Sequence, residues 1–266
     1  MAEFPFSTEE ALRSFICRYY QENLSLSAQA RYCERRHQGL GRSQCTCYRP
    51  EQLRVLPEEL LAGACCCGNP LEQAELKAGE SVLDLGCGVG LDLLLAAQQV
   101  QPGGIVYGLD MNEAALERAE AYRRQLNLDN VRLLRGLIEE LPLAEATIDV
   151  IISNCAINLV PDKERALREA YRVLKPGGRL AIADTVLEGE PSDLLRREPQ
   201  AWAACLTGSL STAIYRKLLA ATGFSDITIE LAAGDWDWPA FLDEEERQRL
   251  QGRWLSALIR ARKPAA

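Results

Sequence analysis

Apolar and polar positions alternate in blocks along most of this chain. Ser81-Val-Leu-Asp-Leu85 is an apolar run closed by glycines, and Leu91 to Val100 has helical periodicity up to Gln101-Pro-Gly-Gly104. Ile105 to Asp110 predicts a second strand, Glu113 to Gln125 a helix, and Val131 to Leu134 a third strand. Ile148 to Ser153 predicts a fourth strand, Lys163 to Leu174 a helix stopped by Lys175-Pro-Gly-Gly178, and Arg179 to Asp184 a fifth strand. Strands alternating with helices of this length predict an α/β fold with a doubly wound, mostly parallel sheet. Ile227–Leu231 and Trp254–Ala261 add two strands at the sheet edge, for seven in all.

The flanks are less regular. Residues 8–35 have helical character, 38–50 read as a loop, and Pro50 to Leu61 as a short helix anchored by Leu53, Leu56 and Leu60. From Glu188 to about Ala221 the pattern predicts helix. No repeat stands out, and Asp243-Glu-Glu-Glu246 reads as a solvated helix face. The expected organisation is an N-terminal helical and loop segment over 1–70, an α/β core over 71–187, and a C-terminal segment with the edge strands over 188–266.

Composition narrows the function. A net charge of −8 on 266 residues argues against a nucleic-acid surface, which needs clustered Lys and Arg. No apolar run approaches the roughly 18 residues of a membrane helix. The N-terminus lacks the basic start and apolar stretch of a signal peptide, so a cytoplasmic protein is expected. There are ten cysteines and a single histidine, His37. Thiols stay reduced in the cytoplasm, and thiolates favour soft, thiophilic centres, so catalytic or ligating cysteines are expected. Structural zinc fits poorly, because Cys45-x-Cys47 with Cys65-Cys66-Cys67 is not a pair of C-x₂₋₄-C knuckles. A free cysteine is most often a small buried hydrophobe, the reading preferred for Cys17, Cys33 and Cys87. His37 reads as a surface residue, and Trp236 and Trp238 as packing.

The segment Val82-Leu-Asp-Leu-Gly-Cys-Gly-Val-Gly90 carries the candidate cofactor site. Its glycines allow a tight turn and close approach of a ligand. Asp110, ending the next strand, can accept hydrogen bonds from ribose hydroxyls. The spacing is not the dinucleotide G-x-G-x-x-G, and Asp84, two residues before the first glycine, suits a cationic ligand better than a pyrophosphate.

This block, with Glu140-Leu-Pro142 and Leu174-Lys-Pro-Gly-Gly-Arg-Leu180, resembles the class I S-adenosylmethionine (SAM) dependent methyltransferases over most of residues 80–185. Within that class, Ile151-Ile-Ser-Asn-Cys-Ala-Ile-Asn-Leu-Val-Pro-Asp-Lys163 resembles the arsenite methyltransferases. So do Cys67-Gly-Asn-Pro70, Gly108-Leu-Asp-Met111, Gly136-Leu-Ile-Glu-Glu-Leu-Pro142 and Cys205-Leu-Thr-Gly-Ser-Leu210. The resemblance implies Cys67, Cys155 and Cys205 as ligands of As(III), with a further N-terminal cysteine that helps reduce the oxidised product through a disulfide. Cys45 and Cys47 both fit that last role, with Cys33 as a further alternative. The Cys65-Cys66 doublet departs from the pattern and leaves the exact ligand before Gly68 open.

The resemblance also implies SAM contacts by Asp84, Gly86, Gly88, Asp110, Met111, Ile138, Glu139 and Asn154, and a thiol reductant such as thioredoxin or glutathione. The expectation is thus a monomeric enzyme that methylates arsenite presented as a thiol adduct. Two other readings compete. A methyltransferase of an organic acceptor such as a quinone would not need Cys155. A thiol protein that only sequesters arsenite would not need the glycine turn or Asp110.

Overall fold

The computed structural model describes residues 6–23, 47–64, 66–189, 195, 197–231 and 252–265. Cys33, His37, Cys45, Cys65, Trp236, Trp238 and the acidic run at 243–246 lie outside them.

The centre of the chain folds as its periodicity predicts. Strands β1 (Ser81–Leu85), β2 (Ile105–Asp110), β3 (Val131–Arg135) and β4 (Ile148–Asn154) join β5 (Leu174–Gly189), β6 (Ser225–Leu231) and β7 (Gly252–Arg262) in one sheet, in the order β3-β2-β1-β4-β5-β7-β6. The first five strands are parallel, and β7 runs antiparallel to both β5 and β6. β1 and β4 are buried on both faces, as central parallel strands are, and therefore read as continuous apolar runs.

Alternate residues feed two cores. Val82, Val106, Val150 and Ile152 pack on one face with helix α5 (Leu91–Gln99) and the short N-terminal helices α2 (Pro50–Leu53), α3 (Glu58–Gly63) and α4 (Pro70–Ala74). Leu83, Leu85, Leu109 and Ile151 pack on the other with α7 (Lys163–Val173) and α9 (Thr212–Thr222). Helix α6 (Glu113–Gln125) starts on the Asn112 side chain, which accepts from Ala114 N; Asp162 and Ser211 begin α7 and α9 in the same way. Gly108 is needed where α5 crosses β2, because an added Cβ would sit 2.8 Å from a Leu93 methyl.

Three expectations change. The helix predicted over Pro50–Leu61 is two pieces, α2 and α3, because the residue before Pro57 is driven out of the helical region. The fifth strand starts at Leu174, not Arg179, through a register shift against β4, and runs on to Gly189 under full-length pairing with β7. The helix predicted from Glu188 to Ala221 is α8 (Pro199–Ala203), a turn over 204–210, and α9. That turn is set by packing. Gly208 lies so close to the backbone of Asn158 that an added Cβ would meet its carbonyl oxygen at 2.0 Å. Trp254 and Leu206 join Leu187, Leu195 and Ala201 in a small third core that anchors the turn.

The approach to β1 is fixed by Arg179. Its guanidinium reaches the carbonyls of Ala74 and Glu75 and pairs with Glu80 at 2.7 Å, with both side chains largely buried. Removing one partner leaves an uncompensated buried charge. Arg179→Ala should therefore lower the unfolding free energy by about 3–5 kcal/mol in urea titrations; an unchanged midpoint would show the bridge to be dispensable.

Candidate functional site

Open parallel sheets bind ligands outside the carboxyl ends of their strands. Here the glycine turn after β1 opens such a pocket beside the ends of β2 and β4. Gly86, Gly88 and Gly90 have φ of 72°, 52° and 99°, left-handed values that side chains resist. At Gly86 an added Cβ would also collide with the Ala156 side chain at 2.3 Å. The turn is latched by Asp110, whose carboxylate accepts from Gly88 N at 2.9 Å and Asn112 N at 2.8 Å.

All eight residues expected to contact the cofactor line this one pocket. Its charges are lopsided: among the described residues Asp84, Asp92, Asp110 and Glu139 face a single basic residue, Arg13. Burial, then the fields of Asp92 and Asp110, hold the Asp84 carboxyl well above the usual carboxylate range. Burial pushes Asp92 up to about 7 and raises Asp110 as well. A cationic ligand would relieve these crowded acids, so the lining fits a sulfonium bearing an amino group better than a pyrophosphate.

Helix α1 (Glu9–Asn23) supplies part of the lining that the sequence did not assign. Its Arg13 pairs with Glu139 at 2.9 Å, and Ile16, Cys17 and Tyr20 face the pocket. Leu12 and Ile16 are buried along this helix, but helical character alone did not say where it docks. Cys17 is therefore part of the pocket lining rather than a core residue, whereas Cys87, which also borders the pocket, is buried as expected.

The thiols gather at the adjoining strand ends. Cys155 follows β4 with φ of 57°, and its amide donates to Ala183 O at 2.9 Å. Cys67 meets it as a disulfide-bonded pair, with Cα atoms 6.2 Å apart across 88 residues of sequence. Cys205, in the turn after α8, has φ of 61°, and its thiol donates to the Cys155 carbonyl at 3.3 Å. Left-handed conformations at non-glycine residues are uncommon and concentrate at functional sites. Two of the three expected ligands adopt one.

Cys67 is held in place by Asn154. The Asn154 amide nitrogen donates to Gly68 O, Tyr48 Oη and Asp92 Oδ2 at 2.9–3.0 Å, and its oxygen accepts from Cys67 N at 3.0 Å. Tyr48 donates to Asp92 at 2.6 Å, and Ser256 of β7 donates to Cys67 O. Asn154 borders the cofactor pocket as expected, yet its polar atoms serve the Cys67 loop.

A buried carboxylate lies beside the thiol pair, and a buried amine, bonded to the Asn158 and Val160 carbonyls, acts on it through its charge. The oxygen ligand atom of Asp184 and the sulfurs of Cys67 and Cys155 all lie within 4.8 Å of one another. Burial pushes the Asp184 carboxyl up to about 7, against the opposing pull of two backbone amides and Lys163. Burial brings Lys163 down to about 8, while the fields of Asp184, Cys205 and Glu139 favour its charge. Neither residue is marked by the sequence, where Asp184 reads as a strand end and Lys163 as a helix start.

Of the N-terminal thiols expected to serve reduction, Cys47 lies among the described residues. Cys67 is joined to Cys155, and the sulfur of Cys47 lies 3.8 Å from that of Cys66. A hydrogen bond to Cys66, then burial, raises the Cys47 thiol.

Known proteins resemble this chain in sequence and fold. A family model described as a methyltransferase domain covers residues 76–223. An arsenite methyltransferase of Halobacterium salinarum is 39% identical over 75% of the chain and 50% of its own length. One from Aquipseudomonas alcaligenes is 41% identical over 60% of the chain and 48% of its own length. The chain thus spans about half the length of the curated relatives it matches. The crystal structure of an arsenic(III) S-adenosylmethionine methyltransferase from Chlamydomonas reinhardtii superposes with a TM-score of 0.69 and 34% identity, covering 82% of this chain and 75% of that one. By its methyltransferase domain, its seven-stranded sheet and these relatives, the chain belongs to the arsenite methyltransferase family.

Proposed function

We propose that this protein methylates arsenite held by its thiols, using S-adenosylmethionine bound at the glycine turn. The observation that carries the reading is the meeting of Cys67 and Cys155 at the strand ends, with Cys155 also lining the pocket. The names of its relatives point to the same substrate.

The residues divide the work. S-adenosylmethionine, when bound, supplies an electrophilic methyl group carried on a sulfonium. Asp110 and Glu139 stand where ribose and adenine would be held, with Met111 and Ile138 as apolar walls. Asp84 and Asp92 face the cationic end. Once reduced, Cys67 and Cys155 take As(III) first, and Cys205, beside the Cys155 carbonyl, adds the third sulfur. Each As–S bond forms as an As–OH bond breaks, and the thiol proton leaves on the hydroxide as water. A trivalent arsenic held by three sulfurs keeps one lone pair opposite them, and holding both reactants in one site removes much of the entropic barrier.

Methyl transfer oxidises arsenic, so a reductant is required. The reading gives this role to the N-terminal thiols, with thioredoxin or glutathione as the external source. It places the protein in the cytoplasm as a monomer. Among the described residues no helix is long and apolar enough to cross a membrane. Cys47 is the described candidate for the reducing thiol, and its position beside Cys66 favours that cysteine as its disulfide partner. Cys45 stays an alternative.

Purified protein given methyl-labelled S-adenosylmethionine, a dithiol reductant and arsenite should form labelled methylarsenicals, separated by chromatography with element detection. Arsenite binding without any labelled product would instead support a sequestering protein. Cys155→Ser should abolish methylation while cofactor binding persists by calorimetry; sustained turnover would remove Cys155 from the ligand set. Asp110→Ala should weaken cofactor binding about 10- to 100-fold, the effect of losing a hydrogen bond to a charged group, and unchanged affinity would remove its ribose role. Mild oxidation followed by non-reducing peptide mapping should yield a Cys47–Cys66 disulfide. A map linking Cys47 to Cys67 instead would overturn the Cys66 pairing.

A further inference from the structure

Asp184 has no part in the reading above, yet it is one of the three groups that converge at the thiol pair. Its side chain is fully buried, and its ligand oxygen and the sulfurs of Cys67 and Cys155 lie within 4.8 Å of one another. The position follows from the sheet. Asp184 lies one residue beyond Ala183 of β5, whose carbonyl accepts from Cys155 N, and it is registered opposite Ala257 of β7, next to the Ser256 that holds the Cys67 carbonyl. Two backbone amides donate to it, Asn158 N to one oxygen at 3.2 Å and Thr185 N to the other at 3.0 Å. Each carboxylate oxygen has two acceptor sites, so acceptor capacity remains on an oxygen that lies within 4.8 Å of both sulfurs. The Cys205 thiol is not part of this trio and spends its proton on the Cys155 carbonyl.

We propose that Asp184 is a substrate-recognition residue that accepts a hydrogen bond from the hydroxyl left on arsenic when Cys67 and Cys155 alone hold it. The inference rests on the dithiol reading above. Two thiols and arsenous acid give a dithiolate arsenic with one hydroxyl and two waters, arsenic remaining trivalent. That hydroxyl is the group Cys205 must later displace as water, so a residue that holds it favours loading and orients the exchange. The recognition is selective by chemistry. An arsenical whose third substituent is carbon offers no hydroxyl once both thiols have bound, and Asp184 has nothing to hold.

The test uses Cys205→Ser protein, reduced, so that loading stops at the dithiolate. The probes are arsenite, which keeps a hydroxyl, and phenylarsine oxide, which does not. Adding Asp184→Leu should weaken arsenite binding about ten-fold, the scale of one lost hydrogen bond, with phenylarsine oxide affinity unchanged. Asp184→Asn keeps one acceptor oxygen, and with it the bond from one of the two amides, so it should restore part of the arsenite affinity; it also serves if the leucine variant fails to fold. A parallel loss for both probes, or no loss for either, would overturn the role of Asp184 alone. Failure of both probes to bind the Cys205→Ser protein with Asp184 intact would overturn the dithiol reading, and this inference with it.

Discussion

One side chain joins the two halves of the site. The Asn154 carboxamide, at the end of β4, is bonded at once to the Cys67–Gly68 backbone, to Tyr48 and to Asp92 of the first turn of α5. Asp92 faces the cofactor pocket, and the next residue after Asn154 is Cys155. A half-buried amide of this kind is costly unless its donors and acceptor are used, and here its nitrogen has three acceptors and its oxygen the Cys67 amide. The satisfied network leaves one arrangement in which the Cys67 loop lies against Cys155. Without it, the loop before β1 would be tied there by the Ser256 contact, Gly68 packing on β5 and the sulfur itself.

The electrostatics follow from the same crowding. Asp84, Asp92 and Asp110 are raised chiefly by burial, and Asp84 also by its neighbours. An arrangement of acids that is unfavourable by itself becomes favourable around a positive ligand. The thiol site differs in composition, with a buried aspartate beside the Cys67 and Cys155 sulfurs and a buried lysine whose field opposes the rise of that aspartate. A soft, neutral substrate is suited to that site, and a cationic methyl donor to the pocket beside it.

Much of this was legible in the chain, and what was not has physical causes. The parallel strands carry their signal in continuous apolar runs, so β1 to β4 fell within a residue of their expected ends. The glycine turn and Asp110 were readable because few residue types tolerate that geometry. Cys155 and Cys205 were identified by their surroundings in the sequence, but their left-handed backbone could not be, since cysteine has no preference for it. The predicted helix across 188–221 failed because the packing of Gly208 on Asn158, about 50 residues away in sequence, decides that turn. Asp184, Lys163 and Arg13 stayed hidden for a similar reason. Each owes its role to burial or to a partner from another segment, and local pattern carries neither.

The central claim is that Cys67 and Cys155 hold the arsenic together. X-ray absorption at the arsenic edge, on reduced protein loaded with arsenite, measures the atoms bound to the metalloid. The account predicts a sulfur-dominated shell that loses sulfur and gains oxygen in Cys155→Ser protein and again in Cys67→Ser protein. An all-oxygen shell in the unmodified protein, or a sulfur shell that neither substitution alters, would contradict it.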